Sequence, residues 1–128
     1  MSDSINRTID QRLAEEAFIC VKEQENSGAF KKYCSFALSF PSLIHTCGLT
    51  QALAFAQIKK KDHCVLADLA RVLTAIEDGI DGSGDKLIEK SRLASVREYM
   101  RLSRRALMAA SWIKRWCQAY DKDGDQNA

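Results

Sequence analysis

Hydrophobic side chains recur every three or four positions along most of the chain, which is the spacing of an amphipathic α-helix. The first such segment begins after Thr8, where Thr8-x-x-Gln11 has the form of a capping box, and it continues to about Gln24. A second segment follows the polar break at residues 26–28 and is expected to end near Pro41, since proline disfavours helical geometry in the residue before it. Pro41 is in turn well placed to open the next helix.

The middle of the chain carries two further helical patterns. The segment from Leu49 to about Ile58 predicts one helix, and Asp62 is in position to cap the next. The buried stripe of that next helix is predicted to consist of Val65, Leu66, Leu69, Val72, Leu73 and Ile76. The glycine-rich stretch DGIDGSGD, residues 78–85, then interrupts the pattern and predicts a loop.

A short helix after this loop is followed by a second capping box, Ser95-x-x-Glu98, which opens a long helix that runs to about Tyr120. The residues from about 121 onward are polar and form a tail. No window alternates between apolar and polar residues as a strand would. The predicted fold class is therefore all-α: a single compact bundle of about six helices with a long C-terminal helix, in one domain over residues 1–128.

The length and composition indicate a globular protein with one hydrophobic core. A chain of 128 residues with 46% hydrophobic side chains is enough for one core. Its N-terminal sequence lacks the features of a secretion signal, and no apolar run approaches the ~20 residues of a membrane span. We therefore expect a cytoplasmic protein that makes no contact with a membrane.

The cysteines predict neither a metal centre nor a disulfide framework. They are five in number, they form no C-x-x-C pair, and they occupy apolar helical positions. We expect reduced, packed thiols at Cys20, Cys34, Cys47, Cys64 and Cys117. No cofactor is expected.

One stretch, FPSLIHTCGLTQALAF at residues 40–55, raises the question of catalysis because it places His45 two residues before Cys47. A nucleophilic pair requires the thiol and the imidazole to face each other, whereas side chains at i and i+2 of a helix point about 200° apart. The other histidine, His63, lies in a polar segment. We therefore expect no catalytic residue here and interpret the stretch as a corner between helices, where Gly48 supplies a positive φ or a close helix crossing.

Acidic residues suggest calcium binding at two places, and both patterns fail. Asp121, Asp123 and Asp125 have the spacing of the first ligands of an EF-hand, but Gln126 takes the place of the required glycine. The loop that begins at Asp81 carries lysine where the glycine belongs and arginine where the bidentate glutamate belongs. Solvated polar segments are the better interpretation, and no metal site is expected.

The charges are distributed unevenly although the formal net charge is only +2. Residues 86–115 hold nine lysines or arginines against two acidic residues, Glu89 and Glu98. Residues 62–85 hold six acidic residues against one basic residue, Arg71. The sequence therefore predicts an electrostatically two-sided molecule.

The last helix separates a basic side from an apolar side. Arg97, Arg101, Arg104 and Arg115, which we call the basic ridge, fall within about 60° on a helical wheel, together with Met108 and Trp112. The opposite, core side consists of Tyr99, Leu102, Ala106, Ala110, Ile113, Cys117 and Tyr120. Cationic side chains around an indole suit a phosphate backbone and a stacked base, whereas an ordinary solvated face, the alternative, would contain more acidic residues.

A second basic cluster stands at the end of an earlier helix. It consists of Lys59, Lys60 and Lys61, which also complement the helix dipole there. The candidate nucleic-acid-binding residues are therefore Arg97, Arg101, Arg104, Arg105 at the flank of the ridge, Arg115, Trp112, Lys59, Lys60 and Lys61.

Two stretches resemble a known family. They are FPSLIHTCGLTQALAF and REYMRLSRRALMAASWIKRW, and the chain that carries them looks like the small all-helical subunit of the Cmr module, the type III-B CRISPR RNA-guided effector complex. Cys47 departs from the family pattern, which often has a polar residue such as asparagine at this position. The resemblance implies a subunit of antiviral defence without an active site, stacked in a few copies inside a ribonucleoprotein filament. It also implies contacts with copies of itself, with other Cmr subunits that hold the guide RNA, and with target RNA.

Two other function classes remain open from the residues themselves. In a protein–protein interaction adaptor without direct RNA contact, Trp112, Met108 and the neighbouring arginines would anchor an interface, since Trp and Arg are frequent hot-spot residues. A small enzyme is the weakest interpretation, because no set of acid, base and nucleophile converges in the pattern.

Overall fold

The computed structural model describes residues 7–121, and this range forms a bundle of six helices without a strand. The helices are α1 (Ile9–Glu25), α2 (Phe30–Cys47), α3 (Leu49–Ile58), α4 (Val65–Thr74), α5 (Gly84–Leu93) and α6 (Val96–Tyr120). The predicted all-α class and long C-terminal helix are confirmed. The predicted polar tail lies almost wholly outside the described residues.

Both predicted capping boxes form. At the start of α1, the Gln11 amide donates to Thr8 Oγ1 at 3.0 Å and the Thr8 amide donates to Gln11 Oε1 at 2.9 Å. At the start of α6, Ser95 and Glu98 exchange the same two bonds at 3.2 Å each. These bonds satisfy amides that have no partner inside a helix, so the sequence itself determines where the two helices begin.

The expected helix break at Pro41 is wrong, because α2 runs through Pro41 and ends at Cys47. Ala37, Phe40 and Ile44 are buried on both sides of the proline, in one continuous stripe. An interior proline costs about 3 kcal/mol. Burial of one large apolar side chain contributes about 1.5 to 3 kcal/mol, so Phe40 and Ile44 together outweigh that cost.

The expected cap at Asp62 is also wrong. Helix α4 begins at Val65, its N-cap is Cys64, and the Cys64 side chain makes no capping hydrogen bond. The amide of Asp62 instead donates to the Lys59 carbonyl at 2.9 Å in the turn that follows α3. The predicted buried stripe of α4 is present from Val65 to Leu73.

Gly48 joins α2 to α3 with φ +91°, which confirms the predicted backbone role. Its amide donates to the Ile44 carbonyl at 2.9 Å, and its carbonyl accepts from the Ala52 amide at 3.0 Å. One residue therefore ends one helix and begins the next. A Cβ built at Gly48 would meet only Tyr99 Oη at 3.6 Å, which is an ordinary contact, so the requirement for glycine comes from the backbone and not from space.

Gly48→Val should lower the free energy of unfolding by about 1 to 3 kcal/mol, because a β-branched residue is strained at positive φ. Chemical denaturation measures the change. Gly28→Val is the matched control, since a Cβ at Gly28 meets nothing within 4 Å and its φ is not positive. Equal stability of the two variants would contradict the backbone role of Gly48.

The core lies where α6 packs against α1 and α2. The predicted core side of α6 is confirmed, with Tyr99 and Tyr120 half-buried at its two ends. The buried residues of α6 are Leu102, Ala106, Ala109, Ala110, Ile113 and Cys117. The opposite side of this helix is thereby left toward solvent along its length.

The thiols only partly follow the expectation. Cys20, Cys34 and Cys117 are buried and Cys64 is half-buried, but Cys47 is exposed. Helical spacing predicts burial of Cys47, yet it is the last residue of α2, where the chain turns at Gly48. All five cysteines are free.

A polar pair lies inside the core, where Tyr33 Oη donates to Asp68 Oδ2 at 2.8 Å. Tyr33 is fully buried and Asp68 is 7% exposed. Burial raises the pKa of Asp68 to about 6, against the opposing effect of the Tyr33 hydrogen bond. Asp68 therefore binds a proton more tightly in the folded state than in the unfolded chain.

This raised pKa predicts that the contribution of Asp68 to stability is complete below about pH 4 and is lost as the pH rises to about 6. The expected loss is roughly 2 to 3 kcal/mol. In Asp68→Asn this contribution to the pH dependence of stability should disappear, because an amide does not titrate. Denaturant unfolding of the unchanged protein and of the variant at pH 4.5 and 7.5 measures this contribution. If the two proteins differ in free energy of unfolding by the same amount at both pH values, the prediction is contradicted.

Candidate nucleic-acid interface

The basic ridge lies on the solvent side of α6. Arg97, Arg104 and Arg115 are exposed, and none of them forms an ion pair with a carboxylate of the described residues. At 1.5 Å rise per residue, the distance along the axis from Arg97 to Arg115 is about 27 Å. Met108, 37% exposed, lies on the same strip between them.

Two of the predicted residues are bound to a carboxylate of the same chain. Glu77 lies just after α4, and its side chain is only 2% exposed. An Arg105 nitrogen lies 2.6 Å from one Glu77 oxygen, while Arg101 at 3.5 Å and Lys90 at 3.4 Å approach the other. Arg101 and Arg105 are therefore positioned by Glu77, and they are less available than the other arginines.

The charges around Glu77 determine its ionisation. Burial by itself would raise the pKa of this carboxyl, but the hydrogen bond from Arg105 and the charges of Arg101, Arg105 and Lys90 hold the pKa below its ordinary value. Glu77 is thus ionised, and one negative charge faces three positive charges. This cluster was not found from the sequence, because residues 13, 24 and 28 positions from Glu77 meet it only in the fold.

The predicted charge asymmetry is reduced by contacts between its two halves. Lys86 Nζ lies 3.0 Å from an Asp81 carboxylate oxygen, and Lys90 Nζ donates to the Asp78 carbonyl at 2.6 Å. The loop thus neutralises Lys86 through a carboxylate and binds Lys90 through a backbone carbonyl. The remaining cations on the outer side of α6 are Arg97, Arg104 and Arg115, which form no ion pair with a described carboxylate.

Trp112 is half-buried between the ridge and α1. Its Nε1 donates to Asp10 Oδ1 at 2.8 Å, and its ring stacks on Trp116 with 5.8 Å between the ring centroids. The Arg115 guanidinium lies 5.0 Å from the centroid of the Trp112 ring. Trp112 is therefore anchored to α1 at the surface of the bundle, and it also supports one ridge arginine by a cation–π contact.

The lysine cluster follows α3 as predicted. Lys59 is half-buried, with Nζ 5.7 Å from the centroid of the Phe55 ring, and Lys60 and Lys61 are exposed. Within residues 7–121, no ion pair or hydrogen bond joins these lysine side chains to α6. The structure thus presents them as a second cluster, separate from the ridge.

The histidines and Cys47 do not form a catalytic group. His45 and Cys47 are exposed at the end of α2, whereas His63 is 8% exposed and stacks on Phe36 at 4.5 Å between ring centroids. Over the described range, no three His, Cys, Asp or Glu side chains are arranged to hold a metal ion. In the same range, no helix is both long enough and apolar enough to span a bilayer.

The structure is that of a small all-helical protein, a six-helix bundle whose longest helix carries an exposed cationic strip. Comparison with known proteins identifies the family. The family model described as "CRISPR-associated protein (Cas_Cmr5)" matches residues 9–120. The chain therefore belongs to the Cmr5 family of CRISPR-associated proteins. The resemblance found from the two sequence stretches is confirmed.

Two known proteins show the extent of the similarity. The "CRISPR system Cmr subunit Cmr5" of Thermus thermophilus is 38% identical over 117 residues, which cover 88% of this chain and 96% of that protein. The crystal structure of a CRISPR-associated Cmr5 family protein from the same organism superposes with a TM-score of 0.81 at 35% identity. That superposition covers 89% of this chain and 97% of the other.

Proposed function

We propose that the protein is a non-catalytic small subunit of a type III-B CRISPR ribonucleoprotein in the cytoplasm, where it serves antiviral defence. Copies of it stack in the inner filament with other Cmr subunits, beside the guide RNA, and contact target RNA through the basic ridge. Membership of the Cmr5 family supports the place in the complex. The exposed side of α6 supports the contact with RNA.

The observation that carries the RNA contact is the unpaired state of three ridge arginines. Arg97, Arg104 and Arg115 lie on one strip of a continuous helix, and the buried side of that helix is opposite to them. Arginines that neutralise phosphates release counterions, and this release contributes to binding independently of base sequence. Such a surface suits a subunit that follows an RNA strand whose bases pair with the guide.

The role of Arg101 and Arg105 is different in this proposal. Arg101 keeps 49% of its side chain exposed while it pairs with Glu77, and Arg105 keeps 26%. Their fork of five donors can meet Glu77 and a phosphate at the same time. Glu77 therefore orders the flank of the ridge, and the lysine cluster adds a contact outside it.

A protein interaction adaptor remains the second candidate, because several large apolar side chains are exposed at helix ends. Ile58 is 72% exposed, Leu93 69%, Val96 79% and Met100 55%. Exposed apolar residues of this size are frequent where another protein docks. A filament subunit needs such contacts with its neighbours in addition to RNA contacts.

Salt dependence of RNA binding separates these two candidates. The purified protein is titrated into a labelled single-stranded RNA at increasing salt, with bound fraction as the readout. Phosphate contact predicts binding at low salt and a linear fall of the logarithm of affinity against the logarithm of salt concentration. Absence of binding at low salt would favour the adaptor.

A further inference from the structure

A polar pocket lies between α2 and the turn after α3, and none of its lining residues belongs to α6. The cavity has a volume of about 360 Å³ and is open to solvent. Lys32, Ser35 and Ser39 line it from α2, and Lys59, Asp62 and His63 line it from the turn. The pocket thus brings together two ammonium groups, two hydroxyls and an imidazole against one carboxylate.

His63 presents a hydrogen-bond donor to this pocket. Its Nδ1 accepts from the Val65 amide at 3.4 Å, so the proton of the neutral ring is on Nε2. No acceptor of the described residues pairs with that Nε2–H, and the nitrogen is open to solvent in the pocket, since it is not among the buried polar atoms without a partner. A ligand acceptor in the pocket can therefore reach this donor and replace the solvent on it.

One wall of the pocket is aromatic. Phe36 stacks on His63 and is also packed against Phe40 at 5.0 Å and Phe55 at 5.9 Å between ring centroids. Its ring therefore holds the imidazole in place. The groups that can donate to a ligand are the two lysines, the serine hydroxyls and the His63 Nε2–H, and these donors suit a phosphate oxygen, while the two ammonium charges outweigh the one Asp62 carboxylate.

We propose that this pocket binds a phosphate group of RNA, through Lys32, Lys59 and the Nε2–H of His63. The inference rests on the proposed function for the source of the phosphate, but not for the binding chemistry. The source is either an internal phosphodiester or a terminal phosphate, and both present the same oxygens. The pocket would fix a second point of the RNA away from the ridge.

Nuclear magnetic resonance of the His63 ring in the full chain tests this site. The probes are inorganic phosphate, a short RNA with a 5′-phosphate and the same RNA with a 5′-hydroxyl. The site predicts saturable shifts of the His63 signals with phosphate and with RNA. Equal shifts with both RNAs assign an internal phosphodiester, and a response to the phosphorylated RNA alone assigns a terminal phosphate.

Two double variants supply the matched comparison. Lys32→Ala with Lys59→Ala should weaken phosphate binding at His63 by about tenfold or more, because two charge-assisted hydrogen bonds are removed. Lys86→Ala with Arg92→Ala removes the same charge on α5, outside this pocket and outside the candidate RNA-binding residues, and should leave the titration unchanged. Both changes are at the surface, so the fold is expected to survive them.

Linear, non-saturating shifts, or equal loss in both double variants, would overturn the phosphate site. A stronger response to an acidic peptide than to RNA would overturn the assignment to RNA. The titration with inorganic phosphate does not depend on the ridge. It therefore separates a failure of this site from a failure of the proposed function, which is measured with ridge variants.

Discussion

Glu77→Gln should lower the free energy of unfolding by about 2 to 3 kcal/mol, the scale of hydrogen bonds to a charged group, because the cations that it leaves unpaired stay partly solvated. The glutamine keeps the size of the side chain, but it leaves Lys90, Arg101 and Arg105 without the carboxylate that they surround. Glu77 is 2% exposed but Arg101 keeps 49% of its side chain exposed, so water replaces only part of the lost interaction. Denaturant unfolding at neutral pH measures the effect.

The matched control is Asp81→Asn, which breaks an exposed ion pair with Lys86 at 3.0 Å. Its expected cost is at most about 1 kcal/mol, since exposed pairs contribute little. The stabilisation by Glu77 also depends on pH in the opposite direction to the stabilisation by Asp68. The pKa of Glu77 is lowered, so its stabilisation is present above its ordinary pKa and is lost as the pH falls through the folded-state pKa. Equal effects of the two variants would contradict the role of Glu77.

Arg97→Glu combined with Arg104→Glu should weaken target-RNA association by about 10- to 100-fold at low salt, because two phosphate contacts become repulsions. The loss should be nearly independent of RNA sequence, since phosphates carry no base identity. Melting temperature and helical content should change little, because neither arginine is buried or paired with a described carboxylate. Affinity is measured in the reconstituted complex.

A control with the same change of net charge is Lys86→Glu combined with Arg92→Glu on α5, where both side chains are exposed. This variant should retain most of the affinity. Similar losses in the two double variants would mean that the ridge acts only through its overall charge. Unchanged affinity of the ridge variant, with assembly intact, would favour the adaptor.

The sequence predicted the helices wherever a local rule decides. The capping boxes at Thr8 and Ser95 are fixed by residues three positions apart, and the positive φ of Gly48 is a property of that residue. At Pro41 the local rule failed, because the burial of Phe40 and Ile44 outweighs the cost of a proline inside a helix. The cap predicted at Asp62 is absent because this residue lies in the turn after α3, where its amide donates to the Lys59 carbonyl.

The candidate site was predicted only in part, for a related reason. The wheel of α6 identified which arginines share a side, and the buried residues opposite to them agree with it. It did not show that Glu77 holds Arg101 and Arg105, or that Asp10 accepts from Trp112 at 2.8 Å. These contacts join parts of the chain far apart in sequence, where periodicity carries no information. The pocket at His63 was missed for the same reason.

Site-specific crosslinking from Met108 tests the RNA contact most directly. A photoreactive side chain replaces Met108, which lies on the ridge and is 37% exposed, in a complex loaded with labelled target RNA. A second complex carries the same group at Glu15, an exposed position on α1. The proposed function predicts crosslinks to the target RNA from Met108 and few or none from Glu15. Crosslinks from Met108 to protein subunits alone, in a complex that still holds its target, would contradict it.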